Sequence, residues 1–150
     1  EAACAEIGRD PATIGRSAGI IVEPTTITGA AEVIGTPVRG SAEEIADIER
    51  AVGVSREMYL TAMAAAKPGK HEYEIVAEII RVAKMRGCDL SFPIICSVHG
   101  ETLHNHHHAN LMQAGDVMVL DCGVETPNKN ASDITRTIPV GGTFTARTTI

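Results

Sequence analysis

Asp121 and Asp133 are the residues whose type and spacing most directly suit chemistry. Val117–Leu120 is an unbroken apolar run, β-branched at Val117 and Val119, that closes on Asp121 and reads as a buried strand. Gly123 permits a sharp departure, and Pro127, Asn128 and Asn130 are turn residues. A second strand opens at Ser132, with Asp133, Thr135 and Thr137 on one face and Ile134, Arg136 and Ile138 on the other. Strands joined in this way pair antiparallel, which brings the two carboxylates together. Neighbouring carboxylates repel unless a proton or a cation lies between them. A divalent metal is the economical cation, and two metals sharing a bridging carboxylate form the version that catalyses hydrolysis. The bland alternative is that each Asp is a turn or cap residue, as Asp116 after Gly115 is read. Spacing alone leaves both readings open.

The second feature is a histidine run, His104, His106, His107 and His108, with His99 just upstream. In an extended chain His104, His106 and His108 share one face, and three imidazoles can hold zinc. The run contains no Cys or carboxylate, so a loop accommodates it equally well.

Two helices are expected to position these residues. Ser41-Ala42-Glu43-Glu44 is a capping box that opens the first. Ile45, Ile48, Val52, Tyr59 and Met63 supply its buried stripe, and Pro68-Gly69 ends it. Glu72–Arg86 forms the second, with Ile75, Ile79, Val82 and Ala83 inward, basic residues late, and Gly87 as its stop. Both helices pack on a sheet face and carry no chemistry in this reading. Ser91–Val98 reads as a strand in which Pro93 marks an edge or a bulge. Residues 1–40 show short strand signals at Ile20–Val22 and Thr25–Ile27 and loop signals at Gly35-Thr36-Pro37, with no motif.

Composition narrows the function classes. Hydrophobic residues make up 44% and aromatics 3% with no Trp, so the core is aliphatic. A net charge of −6 argues against a nucleic-acid surface, which needs clustered Lys and Arg. No apolar run approaches the about 18 residues of a membrane span, and no secretory leader is evident. Cys4, Cys88, Cys96 and Cys122 lack zinc spacing and read as reduced, buried residues, which makes the cytoplasm the expected compartment. Cys122 should face away from any metal held by Asp121.

The wording around the aspartates carries more. LDCG followed by SDITRTIPVGGTF resembles the signature of the pita-bread metallopeptidases, the family of aminopeptidase P, prolidase and methionine aminopeptidase. VRGSAEEIADIERA, AKPGKHEYEIVAEI and LHNHHHANLMQAGD are similar to its opening helix, its Pro-Gly turn and its substrate-histidine segment, so the likeness runs over roughly residues 38–150. The flavour is that of the Xaa-Pro aminopeptidase branch. The resemblance implies an incomplete α+β pita-bread fold, with helices packed on an antiparallel sheet. Residues 1–40 would be the end of a preceding domain plus linker, and 41–150 the first half of the catalytic domain.

It also implies hydrolysis of the N-terminal Xaa-Pro bond of peptides at a centre of two divalent ions, Mn²⁺ before Co²⁺ or Zn²⁺. Asp121 would bind one ion and Asp133 would bridge both. His104 would meet substrate and developing oxyanion, with His107 as a second substrate-binding candidate. His106 and His108 would line the cleft mouth or meet solvent. By the same resemblance the family's other ligands, one His and two Glu, would come from the half of the fold that follows these residues. Asn130 and Gly40 replace residue types common in relatives, and the interval between the aspartates is one residue longer. With two ligands only, the isolated chain is expected to be inactive and to aggregate or form a homodimer through its uncovered apolar face. The alternative is a catalytically lapsed module that binds a peptide or protein, and a metal-free hydrolase resembling creatinase is a third reading. Retention of both aspartates favours the enzyme.

Overall fold

A computed structural model describes residues 41–105 and 107–145. The strand and loop expectations before residue 41, together with Cys4 and His106, lie outside the described residues. No described helix is long and apolar enough to cross a membrane.

Ser41 caps helix α1 (Ala42–Ala65) as the sequence predicts. Its hydroxyl accepts from Glu44 N at 3.1 Å, and the Glu44 carboxylate accepts from Ser41 N at 2.7 Å, so two orphan donors of the first turn are satisfied. The inward face differs from the expected stripe. Ile45, Ile48 and Val52 are 37%, 39% and 45% exposed, whereas Asp47, Ala51, Val54, Ser55, Met58, Tyr59 and Ala62 are buried. Hydropathy pointed to the wrong row because the buried row contains Asp47 and Ser55, polar residues whose partners lie on a turn some eighty positions away. Tyr59 does turn inward, and Met63 packs partly against the core.

Helix α2 (Glu72–Met85) matches its expected apolar face, with Ile75, Ile79 and Ala83 fully buried and Val82 partly so. The Glu74 carboxylate accepts from His71 N at 2.7 Å at the start. Gly87, at φ 71°, takes the left-handed conformation that ends the helix.

The strands are β1 (Asp89–Leu90), β2 (Ile95–Ser97), β3 (Val117–Cys122), β4 (Val124–Glu125) and β5 (Ile134–Pro139). They form an antiparallel sheet in the order β2-β3-β5 and a separate β1-β4 pair. The strand expected over 91–98 is shortened to Ile95–Ser97, because pairing begins only past Pro93. β3 and β4 are one continuous arm of a hairpin. The register Asp121 to Thr135 and Cys122 to Ile134 resumes as Glu125 to Ala131 beyond Gly123, with Ser132 N donating to Val124 O at 2.9 Å between them. One face of the sheet, with Cys96, Met118, Leu120, Cys122 and Ile138, joins the inward faces of both helices in the core. The opposite face carries the aspartates.

Candidate metal centre

Period-two alternation puts Val117, Val119 and Asp121 on one side of β3 and Met118, Leu120 and Cys122 on the other, and the burial pattern follows it. The register that pairs Asp121 with Thr135 sets Asp133 opposite Gly123. Asp121 and Asp133 are therefore diagonal neighbours on one face of the hairpin, the placement expected from the sequence. Asp121 is half-buried. Asp133 is exposed, although it follows the buried Ser132 at the mouth of the second strand.

The two carboxylates disfavour each other's ionised form. Desolvation first, then the negative charge of Asp121 and a hydrogen bond with it, hold the Asp133 carboxyl above the usual carboxylate range. Asp121 Oδ1 is buried and has no hydrogen-bond partner, a costly state for a carboxylate oxygen. Hard oxygen donors with one orphaned lone-pair site and mutual repulsion fit a divalent cation. Among the described residues no group of three or more His, Cys, Asp and Glu assembles, so these residues offer two donors. Cys122 lies on the buried face, and burial pushes its thiol up to about 12, so no thiolate competes.

A raised carboxyl in the folded state has a definite sign. Folding favours the protonated Asp133, so its contribution is fully present below the unfolded value of about 3.9 and is lost as pH rises through the folded value. In chelator, Asp133→Asn is therefore expected to melt higher than the parent at neutral pH and to converge with it toward pH 4. Melts from pH 4 to 8 check this. A difference that does not change with pH would mean that Asp121 and Asp133 do not repel.

The histidines divide. His104 is exposed at the end of a turn, at φ 54°, and His107 is exposed. The loop that carries them rests on the aspartate side of the sheet: a Cβ added to Gly100 would lie 2.5 Å from Val119 Cγ2, and Val119 shares the face of Asp121. Asn105 Nδ2 ties this loop to His107 O at 2.8 Å and Cys96 O at 3.5 Å. His108, expected at the cleft mouth or in solvent, is half-buried and bonds Ile94 O at 3.1 Å through Nε2. Backbone pairing of the Lys70–Tyr73 segment with His108–Met112 draws it in. The zinc reading of the histidine run finds no described cluster to support it.

Hydropathy missed the residues that hold the aspartates in place. Asp47 reaches the hairpin turn, accepting from Thr126 Oγ1, from Asn130 Nδ2 at 2.9 Å and from Asn128 Nδ2 at 3.3 Å. Those bonds, Thr126 first, then Asn130, keep its carboxyl below the ordinary range. Ser55 and Ser132 share a hydrogen bond of 2.7 Å, and Ser132 Oγ accepts from Val124 N at 3.1 Å. The Tyr59 hydroxyl meets Leu120 O at 2.9 Å and also Ile134 O. The signal was present as a row at i, i+4 intervals, Asp47, Ala51, Ser55 and Tyr59, in which three of the four carry a polar group.

Comparison with known proteins shows the family of the chain. The model of metallopeptidase family M24 matches residues 46–150. Xaa-Pro aminopeptidase of Escherichia coli (strain K12) is 34% identical over 110 residues, which cover 70% of this chain and 24% of that protein. Xaa-Pro aminopeptidase 2 of Streptomyces coelicolor is 28% identical over 116 residues, 76% of this chain and 21% of that protein. Among solved structures, zinc-substituted E. coli aminopeptidase P in complex with product superposes with a TM-score of 0.67 at 33% identity, covering 73% of this chain and 25% of that one. The chain thus spans between a fifth and a quarter of the length of these relatives. With this match over most of its length, the chain belongs to metallopeptidase family M24 and holds part of the pita-bread fold.

Proposed function

We propose that this chain supplies the first two ligands of a dinuclear metal centre in an aminopeptidase that cleaves the N-terminal Xaa-Pro bond of peptides. Asp121 would hold one ion and Asp133 would bridge both. The observation that carries the reading is the orphaned, buried Asp121 Oδ1 beside a carboxyl whose ionisation Asp121 opposes. Oxygen donors favour Mn²⁺, with Co²⁺ or Zn²⁺ as alternatives. When bound, such ions supply Lewis acidity and lower the pKa of water to near neutrality.

The chain's own residues do the rest. Asp133 would share a cation with Asp121, whose charge it otherwise meets unbalanced, and the hairpin keeps the two carboxylates on one face. The loop over that face carries His104, which would donate a hydrogen bond to the oxyanion that develops on the scissile carbonyl. His107 would contact substrate. Selectivity for proline is carried over from the Xaa-Pro aminopeptidases that the chain resembles.

Two protein donors make a weak site, so the isolated chain is expected to bind Mn²⁺ in the millimolar range and to hydrolyse nothing. At ten times the dissociation constant, Mn²⁺ should stabilise it by about 1.4 kcal/mol, visible as a higher melting temperature. Asp121→Asn and Asp133→Asn should each remove that gain. An equal gain in the double variant, or none in the parent, would refute the metal reading. Xaa-Pro hydrolysis by the chain alone, lost on Asp133→Ala, would overturn the expectation of inactivity.

A further inference from the structure

Tyr59 is a large polar group of the core that the proposed chemistry does not use. It is 6% exposed and sits on α1, on the side of the sheet away from the aspartates. Its hydroxyl reaches two backbone carbonyls that belong to different strands of the hairpin. Leu120 O, at 2.9 Å, is the carbonyl of the peptide bond that enters Asp121, and Ile134 O belongs to the residue that follows Asp133. One side chain therefore touches the backbone next to both carboxylates from behind. A phenol has one proton, so the two carbonyls share it, and their separation is coupled to a single oxygen. The sheet hydrogen bonds fix register. They leave the twist of the pair softer, and a shared donor across the strands restrains it.

We propose that Tyr59 is a positioning residue for the metal centre, setting the separation and tilt of Asp121 and Asp133 through Leu120 O and Ile134 O. The inference rests on the metal reading above. The rest of the inward row of α1 supports it, because Asp47 and Ser55 grip the same hairpin at its turn and at Ser132. Tyr59 is the member that contacts both strands flanking the carboxylates. A cation that binds two carboxylates gains only when both present their lone pairs at once, so losing the brace should weaken ion binding beyond any loss of fold stability. Partners that orient ligands typically cost 10–100-fold in metal affinity when removed.

The test is Mn²⁺ affinity of the chain, measured as free ion by electron paramagnetic resonance at a temperature where every variant is folded. Three proteins are compared: the parent, Tyr59→Phe, and Val54→Ala. Val54 is a buried α1 residue, and its truncation destabilises without touching either carbonyl. The expected result is an affinity at least tenfold weaker for Tyr59→Phe and unchanged for Val54→Ala. Tyr59→Phe within twofold of the parent, or Val54→Ala as weak as Tyr59→Phe, overturns the positioning role and leaves the metal reading standing. No binding by the parent overturns both.

Should Tyr59→Phe fail to fold, the parent answers instead. The Tyr59 hydroxyl proton, observed by NMR, is expected to shift on addition of Zn²⁺ in the parent and to stay put in Asp133→Asn. An unmoved signal in the parent overturns the proposal.

Discussion

Gly123→Ala is expected to lower the melting temperature of the chain by well over 10 °C. A Cβ at this position would stand 1.8 Å from Ser132 O and 2.6 Å from Ser91 Oγ, well inside any tolerated contact. The backbone cannot yield easily. Ser132 N is bonded to Val124 O, Val124 N to Ser132 Oγ, and Ser91 N to Gly123 O, at 2.9, 3.1 and 3.2 Å. Overpacking a closed site ordinarily costs about 1–3 kcal/mol, and a clash with backbone should exceed that, at about 4–8 °C per kcal/mol for a domain of this size. The glycine is required by close approach of two chain segments rather than by the sharp departure that its place after LDC suggested. Thermal melts followed by circular dichroism check the loss, and a melting temperature within 3 °C of the parent would show that the two arms are not closed as described.

Glu72→Ala should be nearly as damaging, with a second effect that identifies the cause. Glu72 is fully buried. Its Oε1 accepts from Val98 N at 2.8 Å, and Asn110 Nδ2 donates to its two oxygens at 3.0 and 3.2 Å. Val98 enters the loop that carries His104 and His107, and Asn110 leaves it, so one carboxylate fastens both ends. Truncation opens a cavity and strands the Val98 amide, at a cost of about 2–5 kcal/mol. Hydrogen exchange should then accelerate over residues 98–110 more than over β3 and β5. Uniform acceleration across the chain would mean that Glu72 serves general packing only.

Much of this architecture was readable because its signals are local. The capping box at Ser41 needs four residues, the apolar face of α2 repeats within its own turns, and the hairpin follows from two alternating runs around a turn-rich interval. The inward face of α1 failed for the opposite reason. Ile45, Ile48 and Val52 look like a core stripe by hydropathy, yet the row that packs inward holds an Asp and a Ser, and burial of Asp47 becomes favourable chiefly through Thr126, Asn128 and Asn130 on the distant turn, with Arg50 alongside. Glu72 entered the sequence reading only as the first residue of the second helix, and its partners are Val98 and Asn110. Local periodicity can put such polar residues on one helix face, but it does not name the distant groups that satisfy them. The pairing of Asp121 with Asp133 was legible. The supports behind it were not.

The buried phenol under β3 and β5 also gives the molecule a built-in optical reporter. The chain has no Trp and two Tyr, and Tyr73 is 53% exposed on α2 whereas Tyr59 is enclosed beneath the aspartates. Ultraviolet absorbance and emission therefore divide into a solvent-facing signal and one from directly behind the candidate centre. Quenching Tyr73 with an aqueous agent should isolate the second, so the state of the hairpin can be followed without attaching a dye.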